Sequence, residues 1–499
     1  YTPESPCGPT IRHWDQMIHL YLALKKFKIE PNRNWNQHHA YRVANRKGKG
    51  SPASLTLDQI FDGLRYCRIK MEEARKTAVP DRLEMLRNVA SSAAAKGQEK
   101  KAKEVGQIIN TERTKRHWTV VNSAVNDPRL PSVTEIGREE NGRPVWHKDQ
   151  AGVNQVIQEL CVERYSLARK APVMKTELAV HNDVRTVDVD YLMKLVEGEV
   201  PIPTDIDEPT RIYIEEVIEI AKRNPWKTER KFNMSGKQFA CFWRGVKEST
   251  QSAISGHHYG FYKAASKSRF GSKAHAMQLT LVCRSGVPIP RWFCTLQCLL
   301  SKGKGLCTVE NNRILNLYEG DFNQVKKVIV GEMAMGVLEG IGEVPEEHFS
   351  NRGSTAVDAK FDTTLMVDIC RQSRVPMILG SVDAEQCYDR VLHLFVVLLL
   401  LALLRNYLCA LAFVCPMQLM KFFVRSGFGD STAYYGGLAS IFAWMGLGQG
   451  SRGAPDGWLM VSSPMFNILR RERMCAEVEN PITHEKTSSV GCAFVDNAN

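Results

Sequence analysis

Thirteen consecutive residues, LHLFVVLLLLALL at 392–404, contain one polar side chain, His393. A run with no polar face must be covered on every side, so the rest of the chain has to wrap it. It is too short to cross a bilayer, which takes about 20 apolar residues. It also stops at Arg405 and Asn406 before YLCALAFVC resumes. The expectation is a buried helix packed behind a strand, with no membrane association. At 499 residues the chain exceeds one ordinary core, and two or three domains are expected.

Charge is unevenly spread. The net charge is +12, yet residues 1–120 hold 23 Lys and Arg against 12 Asp and Glu, whereas residues 181–220 hold 3 against 11. A basic block of this kind points to a polyanionic partner, most often nucleic acid. A solvated helical surface is the alternative. Fourteen cysteines occur without a CxxC pair, which favours free thiols in a reducing compartment, nucleus or cytoplasm, and argues against secretion. Cys283, Cys294, Cys298 and Cys307 cluster, but their spacing fits no common zinc module. The chain begins at Tyr1 and ends at Asn499, which reads as a piece of a longer frame.

Apolar spacing in LDQIFDGLRYCRIKMEEARK, with Ile60, Leu64, Cys67 and Met71 on one stripe, makes residues 1–170 a basic, mostly helical region. Residues 171–236 form an acidic, Pro-punctuated linker followed by an amphipathic helix, RIYIEEVIEIAKR. From about 280 short apolar runs alternate with helical patterns, which predicts an α+β arrangement with helices on one face of a small antiparallel sheet. HHYGFYK at 257–263 suggests a metal or stacking site, but packing by His258 and Tyr259 is the preferred reading.

Two segments carry the chemistry. PMILGSVDA reads as a buried strand that ends on Asp383, and SVGCAFVDNAN as a second strand whose turn presents Asp496. If the two strand ends meet, two carboxylates stand at one sheet edge. Hard oxygen ligands on a rigid platform suit Mg²⁺ or Mn²⁺ together with substrate phosphates. A pair of ions about 4 Å apart would serve both the attacking and the leaving oxygen of a phosphoryl transfer. Read singly, Asp383 caps a helix and Asp496 sits in a turn.

SVDAEQCYDRV, GLGQGSRGAPDGW and AFVDNA, in this order, resemble the three central palm motifs of reverse transcriptases, specifically those of retroelements without long terminal repeats. The matching positions are Asp383 with Tyr388, Gln449-Gly450 with Pro455, and Phe494-Val495-Asp496-Asn497. WRGVKESTQSAISGHHYGFYKA, NNRILNLYEGDFN and HFSNRGSTAVDA resemble the segments that precede the palm, so the likeness covers about residues 240–499. It implies a right-hand polymerase with fingers over 237–375 and palm over 376–499, ending before the thumb.

The resemblance also implies roles. Asp383 and Asp496 would hold the metal pair, with Asn497 beside them, and catalysis would be positioning plus charge stabilisation. Ala384, Glu385, Gln386 and Cys387 would cradle the triphosphate of an incoming dNTP, with Gln449 and Arg313 among the nucleotide contacts. Tyr388 would lie under the sugar and exclude a 2′-OH, which favours DNA synthesis. Gly450, Ser451, Lys421 and Arg425 would touch the RNA template and DNA primer. Two departures stand out: Asn312 replaces the usual basic residue before Arg313, and Asn497 replaces the second acid of the third motif. An amide oxygen coordinates more weakly than a carboxylate. A degenerate element copy acting only as a nucleic-acid-binding protein is therefore the main alternative, and an RNA-templated RNA polymerase the second.

Overall fold

The structure, a computed structural model, describes residues 82–110, 133–140, 143–246, 253–301, 312–350, 354–374, 382–383, 387–437, 445–479, 484, 486–491, 493–494 and 497–498. Among the described residues helices dominate, with four small sheets between them, in line with an α+β class.

The first helix among the described residues is α1 (Arg82–Ala95). A hairpin follows, β1 (Ile136–Glu140) and β2 (Arg143–His147), in a stretch the sequence led us to expect as mostly helical. Glu140 pairs with Arg143, and the residues between them are Asn141-Gly142, the dipeptide most favoured in two-residue hairpins. Helix α2 (Gln150–Ser166) is N-capped by Asp149, which accepts the Gly152 N–H at 2.9 Å.

The stretch expected as an acidic linker contains α3 (Val189–Glu197), and the amphipathic helix expected after it is α4 (Glu208–Arg223). Their buried faces belong to one hydrophobic core that runs from Val133 to Val461. Helices α5 (Gly236–Gly245), α6 (Tyr259–Lys267) and α7 (Arg269–Ser285) continue it. Here His258 caps α6 through its Nδ1, which accepts the Gly260 N–H at 3.0 Å, and buried Tyr259 meets the Trp243 ring edge-on. Tyr259 packs as anticipated, whereas His258 is exposed and acts through its cap.

Strands β3 (Cys294–Ser301) and β4 (Asn312–Leu317) lead into α8 (Gly320–Lys326), a π-helical stretch (Lys327–Ala334) and α9 (Met335–Gly340). After α10 (Ala356–Ser373) come β5 (Val382–Asp383) and α11 (Cys387–Arg390). The apolar run is α12 (His393–Leu404), buried against α3, α4 and the helices that follow. Its last carbonyls are satisfied from outside: the Asn224 side-chain amide donates to Ala402 and Leu403, and the Arg230 N–H to Leu404. No helix among the described residues is long and apolar enough to cross a membrane.

Next come α13 (Tyr407–Gln418), β6 (Lys421–Ser426), β7 (Gly429–Gly436) and α14 (Ala454–Arg471). The chain closes with β8 (Ala476–Glu479), β9 (Lys486–Ser489), β10 (Ala493–Phe494) and β11 (Asn497–Ala498). The largest sheet has the order β4-β3-β6-β7. It is mixed, not purely antiparallel as expected, because β3 and β6 run parallel with Cys294 opposite Lys421. Parallel neighbours need a long crossover, and the helices α8 to α13 supply it.

Candidate functional site

The first and third motifs meet. Strand β11 lies antiparallel between β10 and β5, with Asn497 opposite Asp383 and Ala498 opposite Val382. Two segments over a hundred residues apart in sequence thus share one ladder. Asp496, Ala384, Glu385 and Gln386 lie outside the described residues. Cys387 and Tyr388 open α11, where Cys387 is buried and Tyr388 packs half-buried against the core. Among the described residues there is no cluster of three or more His, Cys, Asp or Glu side chains. The donor set of the third motif is one carboxylate and one amide, all hard oxygens, and is chemically suited to Mg²⁺ or Mn²⁺.

The second motif is laced onto the first. The Leu447 N–H donates to the Tyr388 carbonyl at 2.6 Å, and the Gly446 N–H to that of Val391 at 2.8 Å. Strand β4 joins in as the Asn316 N–H donates to the Gln449 carbonyl at 2.8 Å. Gly450 has φ +92°, and a Cβ there would stand 2.8 Å from the Asn316 carbonyl oxygen. Its lack of a side chain therefore serves this internal contact, a reason that sequence reasoning had placed on the template–primer side. Ser451 is buried, and its Oγ accepts the Gly453 N–H at 3.3 Å in the turn before α14.

Beneath this loop lies a polar floor that sequence reasoning did not anticipate. Asp389 is fully buried. Burial pushes its carboxyl up to about 6, against the opposing pull of the Arg164 guanidinium and the Gln449 backbone amide. Neither carboxylate oxygen completes a hydrogen bond of ordinary geometry. Lys326 is also fully buried, its Nζ 3.3 Å from the centre of the Tyr318 ring. Burial holds that amine well below the usual lysine range. His393 Nε2 lies 2.9 Å from the Gly446 carbonyl oxygen, and burial depresses the ring to about 4. A neutral ring donating from Nε2 fits both facts. The signal was in the sequence: Gly446, Gly448 and Gly450 alternate, and each permits a close approach to the floor.

The basic candidates gather on the four-stranded sheet. Helix α2 covers one face, where Tyr165 stacks on Phe422 at 5.7 Å and Phe422 on Tyr435 at 4.9 Å. Strand alternation puts Lys421, Phe423 and Arg425 of β6 on the other face, and the register adds Arg313 of β4 and Tyr434 of β7. Arg313 is exposed and Tyr434 is 47% exposed. Lys421 Nζ sits 4.7 Å from the centre of the Tyr434 ring, and Arg425 grips Asp430 through Nε at 2.6 Å and a terminal nitrogen at 2.9 Å. Arg313 therefore lies on the same side of the sheet as Lys421, Phe423, Arg425 and Tyr434, with the buried Leu296 and Cys298 of β3 between them.

No protein-family model matches the chain, and no curated protein is significantly similar to it.

Proposed function

We propose that the chain carries an RNA-templated DNA polymerase domain of the reverse transcriptase kind, which adds dNTPs to a primer 3′-OH. One observation carries this reading: the register of Asn497 against Asp383. Directly opposed Cα atoms in an antiparallel ladder lie about 4.5–5.5 Å apart. Asp496 is bonded to Asn497, one Cα step of about 3.8 Å away. The backbones of the first and third motifs therefore share one small neighbourhood at Asp383 and Asn497, which supports the reading that Asp383 and Asp496 serve one metal pair.

Asp383 and Asp496 would hold Mg²⁺ or Mn²⁺, with the Asn497 amide as a weaker assistant. The ions, when bound, supply charge neutralisation at the triphosphate and acidify the primer hydroxyl. The chain's own contribution is positioning. Tyr388 anchors the second motif through its carbonyl while its half-buried ring packs against the core. A bulky ring at that position selects 2′-deoxy nucleotides by the resemblance given above. The side of the sheet that carries Arg313, Lys421 and Arg425 suits the phosphates and bases of a template–primer.

Asn497 favours a second reading, a nucleic-acid-binding domain without turnover. Extension of oligo(dT) on poly(rA) separates the two. Incorporation that Asp383→Ala abolishes supports polymerase activity, whereas retained nucleic-acid binding with no incorporation supports the second reading.

A further inference from the structure

Glycine occupies every second position of the second-motif turn, and the floor beneath leaves no spare room. Gly446, Gly448 and Gly450 have φ of +101°, +77° and +92°. A Cβ at Gly446 would meet the Tyr165 ring at 3.0 Å, one at Gly448 the Tyr318 hydroxyl, and one at Gly450 the Asn316 carbonyl oxygen. Backbone contacts hold the turn down: the Leu392–Met445 bridge, the Leu447 N–H on the Tyr388 carbonyl and the Asn316 N–H on the Gln449 carbonyl. The Asp389 carboxyl is enclosed beneath, and its one local donor is the Gln449 N–H. Helix α2 sends Cys161, Arg164 and Tyr165 toward it, and the end of β4 sends Tyr318. Burial keeps that thiol and both hydroxyls neutral. Lys326 of α8 lies against the Tyr318 ring and His393 of α12 against Gly446, and burial favours the uncharged form of each. Helix α14 also packs on α11, but the acid of its first turn, Asp456, is held by Lys327 at 2.5 Å. Arg390, next in α11, is exposed.

We propose that Asp389 and this turn form a proton-operated latch, in which the protonated carboxyl lets the turn close on its floor and ionisation loosens it. A buried carboxylate is costly unless donors surround it, and the closed floor supplies one. Water could complete the set, but the three glycine contacts leave it no space while the turn is down. Lifting Gln449 off Asn316 hydrates the carboxylate, and the left-handed glycines flanking Leu447 and Gln449 are the hinges. The closed form therefore holds the proton more tightly than the open form, at about 6 against an ordinary value near 3.8. Opening is rarest below about pH 4, becomes more frequent as pH climbs to about 6, and levels off above that. The latch acts on the backbone of Gln449 and Gly450, so it regulates the height of the second motif. It needs neither metal nor nucleotide and stands apart from the polymerase reading.

Hydrogen–deuterium exchange on the full chain, without metal or nucleotide, is the test. Peptides spanning 312–318 and 445–451 report the Asn316 and Leu447 amides, whose bonds break on opening. Exchange divided by the intrinsic rate at each pH gives the opening constant. In wild type that constant should rise roughly 25-fold between about pH 4.5 and about pH 7.5. Amides of α3 should show no such rise. Asp389→Asn is neutral at every pH and should give a flat profile at the closed-state value. If circular dichroism shows that variant misfolded, Arg164→Gln takes its place. Loss of the guanidinium raises the carboxyl further, so the rise should extend to higher pH. A flat wild-type profile overturns the proposal, as does an equal rise in Asp389→Asn, or an Arg164→Gln profile that coincides with wild type. So does an equal rise in α3, which would mark global unfolding. Primer extension plays no part in the measurement, so failure here and failure of the polymerase reading are separately visible.

Discussion

Asn497 stands directly opposite Asp383 in the antiparallel ladder of β11 and β5. Opposed positions in such a ladder share a face, and like charges placed directly opposite are destabilising. Asn497→Asp restores the acid of the family pattern and creates that repulsion. The variant should melt below wild type in EDTA and regain or exceed the wild-type midpoint in millimolar Mg²⁺. Thermal melts with and without the ion check this. A variant indifferent to Mg²⁺ would mean that the opposed positions hold no cation.

Asp389 should make the protein's stability pH-dependent in a definite direction. Its carboxyl is raised by burial to about 6 from an ordinary value near 3.8. The folded state therefore binds the proton more tightly than the unfolded chain. Stability from this group is complete below about pH 4 and is lost as pH rises through about 6. A shift of about two pH units corresponds to about 3 kcal/mol. Asp389→Asn should accordingly stabilise the protein near pH 7.5 and change little near pH 4. Urea unfolding of both proteins at the two pH values measures it, and an equal difference at both would exclude a titrating Asp389 as the cause.

Much of this architecture was legible because local patterns determine it. Helix α12 could be read from its all-round apolar sequence, and the meeting of β5 with the third motif from two apolar runs that end on acids. The β1–β2 hairpin was also legible through Asn141-Gly142, but the surrounding charge invited a helical reading. The parallel pairing of β3 with β6 was not, since it joins residues over 120 positions apart and no local period encodes it. The floor under the second motif was hidden for the same reason: Tyr165 of α2, Asn316 and Tyr318 at the end of β4, and Asp389 of α11 are far apart in sequence. The π-helical stretch after Lys326 was not legible, because no turn or cap residue in KVIVGEMA signals it; in the fold a Cβ at Gly331 would collide with the Asp456 carboxylate.

Arg291 should be costly to remove. It is buried between Glu319, at 3.1 Å from its Nε, and Asp321, while the Trp292 indole donates to Asp321 at 2.9 Å. Arg291→Met keeps the volume but strands two carboxylates in the core. Breaking a buried ion pair from one side costs about 3–5 kcal/mol. The urea midpoint should drop by that energy divided by m, at an unchanged m-value. The triple variant Arg291→Met/Glu319→Gln/Asp321→Asn should recover part of the loss, because no charge is left unpaired. A triple variant as unstable as the single one would show that packing, not charge, sets the cost.

Gly448 and Tyr318 fix the height of the second-motif loop above its floor. Gly448 has φ +77°, and a Cβ there would collide with the Tyr318 hydroxyl and approach two of its ring carbons at 2.8 and 2.9 Å. Gly448→Ala therefore combines a left-handed backbone penalty of about 1–2 kcal/mol with overpacking of about 1–3 kcal/mol. Tyr318→Phe removes the hydroxyl but not the ring, so the double variant should regain only part of the loss, a coupling visible in a double-mutant cycle. Gly450→Ala is the internal comparison. Its Cβ would meet the Asn316 carbonyl oxygen, which is backbone and cannot be trimmed, so Tyr318→Phe should bring it no relief. Equal rescue of both alanine variants would mean that Tyr318 loosens the loop generally, and the specific contact with Gly448 would have to be abandoned.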